Sequence, residues 1–282
     1  MTVHERLPNF LYIGPDKAGS SWLHERLSLH PDIFLSPAKD LYYFDRYFER
    51  GPQWYAQFFR HAAGEAIVGE VCQDYLFHPE AAARIASQLV DPRLMVTLRD
   101  PVERAFSSYL YARKHGIGPV TFRDALRSEP ALLEHGRYAT ALERYLQVFK
   151  RERLLVTVFD DLQQNPQRLV DQVTDHLAIA RMTLSEEETE PTLAAAQARA
   201  VPVAWALRRG ADWVRAHDGA ELIGAVKRSR LVHRLLYKPY GDQRPRPSDA
   251  DVEYVRAALL DEVERLDQIF ALGLVERWGW TT

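Results

Sequence analysis

Short apolar runs alternate with helical periodicities over the first 180 or so residues. The runs at 9–13, 67–72, 94–98 and 154–159 are apolar, partly β-branched and too short for helices, and predict strands. A shorter strand is predicted at 33–35. Between them, apolar positions recur at helical spacing over 21–30, 53–59, 79–89, 101–114, 138–150 and 166–176. Strands that read as continuous apolar runs and alternate with helices point to an α/β fold with a buried parallel sheet. Asp100-Pro101 fits a helix start, with Asp as N-cap and Pro at the first helical position. Beyond Pro191 the pattern changes. Residues 191–236 read as helix with no convincing strand, Pro245-Arg246-Pro247 breaks the chain, and a final helix is predicted over 249–271. In that helix Val252, Val255, Leu259, Val263, Leu266 and Ile269-Phe270 recur at helical spacing.

Composition narrows the class without naming a function. The chain has 282 residues, 46% hydrophobic and 27% charged, which suits a globular protein with a sizeable core. Its net charge of −3 argues against a polyanion binder, so no nucleic-acid partner is expected. No stretch approaches the roughly 20 apolar residues of a membrane-spanning helix. The first residues lack a signal-peptide core, so no membrane partner and a cytoplasmic location are expected. One cysteine, Cys72, lies in an apolar run and is expected to be a buried thiol. Charge is uneven along the chain. Residues 199–246 carry eleven Lys or Arg against four Asp or Glu, a net +7 that leaves −10 elsewhere. Such a segment is either a solvated helical face or a positive rim for an anionic ligand.

Three clusters near predicted strand ends carry candidate chemistry. The first is Gly14-Pro15-Asp16-Lys17-Ala18-Gly19-Ser20-Ser21-Trp22, between a strand and a helix. Backbone N–H groups at a helix start cradle anions, and Gly14 and Gly19 are spaced almost as in a nucleoside-triphosphate loop. Ser20 stands where that motif needs its lysine; the lysine is displaced to Lys17. The second cluster is Arg99-Asp100-Pro101-Val102-Glu103-Arg104-Ala105-Phe106-Ser107-Ser108. An Arg fork with a serine hydroxyl suits a phosphate monoester, and a structural pairing of Arg99 or Arg104 with its acidic neighbour is the competing reading. The third is Lys39-Asp40-Leu41-Tyr42-Tyr43-Phe44-Asp45, where a carboxylate beside aromatics could serve as a general base. Exposed loop charges around core aromatics would give the same pattern.

Together these clusters resemble the sulfotransferases that use 3′-phosphoadenosine 5′-phosphosulfate (PAPS), in the branch of bacterial and heparan-sulfate-type enzymes. The likeness runs from Pro8 to Gly116, continues more weakly through 136–177, and reaches the final helix with Trp278 or Trp280. The resemblance implies a three-layer αβα domain with a central parallel sheet, a P-loop-like cradle and a helical C-terminal portion, one domain over 1–282. Residues of about 191–245 would form a helical acceptor-side wall or lid. It assigns Lys17 to the departing phosphate oxygen, with Ala18, Gly19, Ser20, Ser21 and Trp22 around the 5′-phosphosulfate. Arg99 and Ser107 are assigned to the 3′-phosphate, with Gly241 and Arg244 as further matches. The family's acceptor motif maps onto Lys39, Asp40 and Asp45. Apart from that motif, Tyr42, Tyr43, Trp54 and Tyr55 are candidate linings of the acceptor pocket, with burial in the core as the competing reading. Asp40 is one methylene shorter than the family's glutamate, so Glu70 stands as a second candidate base. Val71 takes a place where related enzymes often carry lysine. The cofactor implied is PAPS, with 3′-phosphoadenosine 5′-phosphate (PAP) as product and no metal. The sequence does not name the acceptor: a small molecule, natural product or carbohydrate is expected, and a lipid or a peptide tyrosine stays open. Two rival readings remain: an ATP-dependent P-loop phosphotransferase, which would need magnesium, and a non-catalytic module that binds a sulfated glycan through the basic segment.

Overall fold

A computed structural model describes residues 6–190 and 244–280, together with the backbone of Ala196–Ala198 and Tyr237–Pro239. In chain order the elements are β1 (Phe10–Tyr12), α1 (Ser20–Leu27), β2 (Ile33–Leu35), α2 (Gly51–Ala56), β3 (Ile67–Val71), α3 (Ala81–Gln88) and β4 (Arg93–Leu98). They continue with α4 (Pro101–Lys114), α5 (Phe122–Ser128), α6 (Ala131–Glu134), α7 (Tyr138–Leu146), β5 (Leu154–Val158), α8 (Phe159–Gln164), α9 (Pro166–Leu177) and α10 (Glu186–Thr189). The last described are β6 (Ala196–Ala198), β7 (Tyr237–Pro239), α11 (Asp249–Phe270) and α12 (Leu274–Arg277). The chain divides into two compact units, residues 1–99 with 138–192 and residues 100–137 with 193–282.

The first unit holds a five-stranded sheet in the order β2-β3-β1-β4-β5, and every pairing in it is parallel. Parallel neighbours need crossovers, and the predicted helices supply them. Side chains alternate between faces. Phe10, Tyr12, Val71 and Met95 pack on one face with Leu23 and Leu27 of α1 and Leu169, Val170, Val173 and Leu177 of α9. Leu11 and its register partners Glu70 and Leu94 belong to the other face. The Tyr145 hydroxyl of α7 donates to the Tyr75 carbonyl at 2.9 Å, which ties α7 to the chain after β3. The strand order turns at β1: β2 and β3 lie to one side and β4 and β5 to the other. In open α/β sheets that is where ligands bind, outside the carboxyl ends of the strands.

The second unit is mainly helical. Asp100 caps α4 by accepting from the backbone N–H groups of Val102 (2.7 Å) and Glu103 (3.1 Å), as the Asp-Pro step predicts. Its other oxygen accepts from the Trp280 indole N–H at 3.0 Å. Val255, Leu259, Val263, Leu266 and Phe270 form the buried stripe of α11, which packs on α4 and α6. The buried Arg104 donates its guanidinium to the Leu132 carbonyl, so it fastens α4 to the end of α6.

One expectation is corrected in this unit. The sequence pattern predicts no strand within 191–236, yet Ala196–Ala198 is β6 and pairs antiparallel with β7, Gln197 opposite Lys238. Alanine favours helix locally, but a strand ladder across some 40 residues of sequence overrides that preference. The rest of the expected helix and the bulk of the basic segment lie outside the described residues. Among the described residues no helix is long and apolar enough to cross a membrane.

Candidate active site

The loop after β1 is tied down on both sides. The Leu76 N–H donates to the Ile13 carbonyl at 2.8 Å, and the Thr97 N–H donates to the Gly14 carbonyl at 3.3 Å. The loop then turns through left-handed backbone at Lys17 (φ 61°) and Gly19 (φ 87°). A Cβ on Gly14 would stand 2.4 Å from the Gln73 carbonyl oxygen, and one on Gly19 2.4 Å from Leu162, so both positions need glycine for space as well as for φ. Gly19 is the N-cap of α1, and no side chain caps the helix. The first-turn N–H groups and the positive end of the helix dipole are therefore directed at the loop's concavity, the arrangement that binds a phosphate or sulfate ester. Arg99, at the end of β4, lies over the Phe159 ring at 4.6 Å and donates Nη1 to the Lys17 carbonyl at 2.7 Å. This joins the first two sequence clusters. Ala18 and Trp22 are buried, and the Trp22 indole N–H donates to the Glu188 carbonyl at 3.1 Å.

The third cluster divides between two tasks. The Lys39 Nζ donates to Ser20 Oγ at 2.9 Å and to Ser21 Oγ at 3.0 Å. The family resemblance puts Lys39 on the acceptor side; the structure places its ammonium at the start of α1. A serine oxygen that accepts from an ammonium keeps its own proton to donate elsewhere, which suits an anion in the loop. Asp40 follows at left-handed φ 59° and Tyr42 at φ 56°. Non-glycine residues held there cost about 1–3 kcal/mol each, so the surroundings must fix them. The segment is laced to the end of β3: the Asp40 N–H donates to the Val71 carbonyl at 2.9 Å, and the Gln73 N–H donates to Asp40 Oδ1 at 3.2 Å. Asp40 is half-buried at the carboxyl end of the sheet, so the residue is not sealed in the interior.

Glu70 is wholly buried. It accepts from the Tyr55 hydroxyl at 2.6 Å, the Tyr75 hydroxyl at 3.0 Å and the Leu41 N–H at 3.0 Å. Burial outweighs these hydrogen bonds and pushes its pKa up to about 8. Asp74 is likewise pushed up by burial to about 7, although the Arg46 guanidinium pairs with it. Both carboxyls are thus more protonated in the fold than in the open chain, where their ordinary values are 4.5 and 3.8. Stability from this source is present at low pH and is lost as pH rises through about 8. Glu70→Gln is expected to flatten the fall of the thermal midpoint between pH 5 and pH 8, leaving the Asp74 part; thermal unfolding across that range checks it.

The remaining sites fall in different places. Tyr42 is buried with the Arg46 guanidinium 3.9 Å over its ring, and Asp45 is half-buried beside Arg46. Trp54 is half-buried, 4.8 Å from the Arg50 guanidinium. Tyr55 lies in the interior, stacked on Tyr43 at 4.3 Å, so it reaches the site only through Glu70. In the second unit, Ser107 is half-buried on α4 and Arg244 pairs with Glu103 at 3.2 Å. Gly241 lies outside the described residues. The sequence pattern did not single out Gln73, Tyr75, Phe159 or Leu162, which hold the two loops. They belong to other elements, and no local motif marks them.

Comparison with known proteins agrees with this geometry. The chain is 31% identical over 156 residues to the membrane-associated sulfotransferase kil1 of Dictyostelium discoideum, covering 52% of this chain and 33% of that protein. It is 32% identical over 192 residues to the human heparan sulfate glucosamine 3-O-sulfotransferase 6, covering 63% and 54%. It therefore spans between a third and just over a half of these relatives. A crystal structure of a sulfotransferase from Alicyclobacillus acidocaldarius shares the fold, with a TM-score of 0.59, 24% identity, and coverage of 81% of this chain and 96% of that one. Residues 7–200, which contain both loops, the whole parallel sheet and Arg99, match the sulfotransferase domain, and the chain belongs to the sulfotransferase family.

Proposed function

We propose that this protein transfers a sulfuryl group from PAPS to a hydroxyl or amine of an acceptor. The observation that carries the reading is the double tether of the Lys17 loop: Arg99 on its carbonyl, and Lys39 on the two serines that open α1. PAPS would supply a sulfuryl group already bonded to a phosphate oxygen. Transfer forms a bond from sulfur to the acceptor's oxygen or nitrogen and breaks the sulfur–oxygen bond to the phosphate, whose oxygen takes the electron pair. Lys17 and the α1 N-terminus offset the charge that gathers on that oxygen. Asp40 takes the acceptor's proton. Arg99 takes the 3′-phosphate, and Ser107 is the second residue assigned to it by family likeness. The names of the relatives point to a carbohydrate acceptor, and a small molecule is the other class considered.

The test is transfer from radiolabelled PAPS to a heparan-derived oligosaccharide and to 4-nitrophenol, beside ATP with magnesium as the rival donor. Labelled product with PAPS is expected. Phosphoryl transfer from ATP, or glycan binding with no transfer at all, overturns the reading. A separate expectation concerns Arg99. Its guanidinium is a planar, permanently charged donor fork held at the loop by its bond to the Lys17 carbonyl. Arg99→Ala is expected to weaken PAP binding by about 10- to 100-fold, the worth of charge-assisted hydrogen bonds. Calorimetric titration with PAP checks it, and an unchanged dissociation constant removes Arg99 from the 3′-phosphate.

A further inference from the structure

Glu70 meets the Asp40 segment from inside the sheet. Its Oε1 accepts from the Leu41 N–H at 3.0 Å and the Tyr75 hydroxyl at 3.1 Å, and its Oε2 accepts from the Tyr55 hydroxyl at 2.6 Å. The Tyr75 oxygen in turn accepts from the Tyr43 N–H at 2.9 Å. One buried carboxyl thus reaches two backbone amides, Leu41 directly and Tyr43 through a phenol. These amides flank Tyr42 and follow Asp40, the two residues of the segment with left-handed backbone. Such backbone persists only where its surroundings over-determine it. The next turn adds to the restraint, since the Arg46 and Tyr47 N–H groups both donate to the Tyr42 carbonyl at 3.0 Å. With no exposed surface and with both oxygens engaged, the Glu70 carboxyl has no face to offer an acceptor hydroxyl.

The geometry points to Glu70 as a positioning residue that clamps the Asp40–Tyr43 segment through the Leu41 and Tyr43 amides and so aims the Asp40 carboxylate. This rests on the reading of Asp40 as the base. Lys39 rides on the same segment, so the clamp also bears on the contact between Lys39 and the α1 serines. The role differs from proton transfer in a way that substitution can separate. A glutamine at position 70 still accepts from the Leu41 N–H, but it cannot act as a base. An alanine removes the clamp, and phenylalanine at position 75 removes its arm to Tyr43.

The experiment compares Glu70→Gln, Glu70→Ala, Tyr75→Phe and Asp40→Asn. Two quantities are read: amide hydrogen exchange at Leu41 and Tyr43 in the protein without ligand, and kcat with PAPS and whichever of the oligosaccharide or 4-nitrophenol is sulfated. Glu70→Ala is expected to speed exchange at both amides by at least about tenfold, the loss of a buried hydrogen bond, and to lower kcat. The acidic limb of its pH profile should stay in place, because the base is still Asp40. Tyr75→Phe should speed exchange at Tyr43. Glu70→Gln should restore protection at Leu41 and retain kcat within about tenfold of wild type. The inference is overturned if Glu70→Gln is as inactive as Asp40→Asn, or if Glu70→Ala and Tyr75→Phe both leave exchange unchanged. Should Glu70→Ala fail to fold, the single hydroxyl lost in Tyr75→Phe decides. If the wild type transfers nothing from PAPS, the function reading fails, while the exchange measurements still read the clamp.

Discussion

Lys17→Ala is expected to lower kcat by about 100- to 1,000-fold, the usual loss when a preorganised group at the developing charge is removed. The fold should survive, for two reasons that lie in the backbone. Lys17 already holds φ 61° as an L-residue, and alanine carries the same Cβ, so the conformational cost does not change. Arg99 grips the carbonyl of residue 17, which every residue has. The thermal midpoint should therefore stay within about 3 °C of wild type. The loss should be larger in single-turnover rate than in PAPS affinity, because the charge that Lys17 meets appears only as the phosphate oxygen departs. A variant that keeps more than about a tenth of the rate would remove Lys17 from the chemistry.

Asp40→Asn should come close to it, with kcat down by about 100- to 10,000-fold for the loss of a positioned base. Asparagine tolerates left-handed backbone better than most residues, and its side-chain oxygen can still accept from the Gln73 N–H, so the segment keeps its shape. The acidic limb that a carboxylate base imposes on the wild-type rate profile should disappear. The contrast with Glu70→Gln is sharp: both changes replace a carboxyl by an amide within the same cluster, yet only the first leaves the acceptor's proton without a taker. Equal activity of Asp40→Asn and wild type, measured at saturating PAPS, would move the base elsewhere.

Both predictions involve residues visible in the chain, but the structure changed what surrounds them. Gly14, Lys17 and Gly19 were legible because a strand-to-helix loop is local. Its glycines, its displaced lysine and the apolar run before it lie within a dozen residues of one another. Asp100 was legible for the same reason, since an N-cap and a following proline are neighbours in sequence. The family resemblance puts Lys39 with the acceptor, yet its ammonium meets the hydroxyls of Ser20 and Ser21. Tyr55 was placed as an acceptor contact for its aromaticity; its ring is interior and its hydroxyl is spent on Glu70. An aromatic run shows only that rings must be buried or stacked, not which of them keeps an open face.

Periodicity and local chemistry by themselves determined the alternation of strands and helices, the parallel class of the sheet, and the anion-binding loop with its lysine. Each of these follows from neighbours a few residues apart, whose steric and hydrogen-bonding needs are settled on the spot. Tertiary structure alone decided the order β2-β3-β1-β4-β5, the tie from Arg99 to the Lys17 carbonyl, the pairing of β6 with β7, and the burial of Glu70 beneath the Asp40 segment. Those depend on which distant backbone groups and side chains come to share one buried space. The cost of leaving a polar group unsatisfied there, rather than any pattern along the chain, selects the partners.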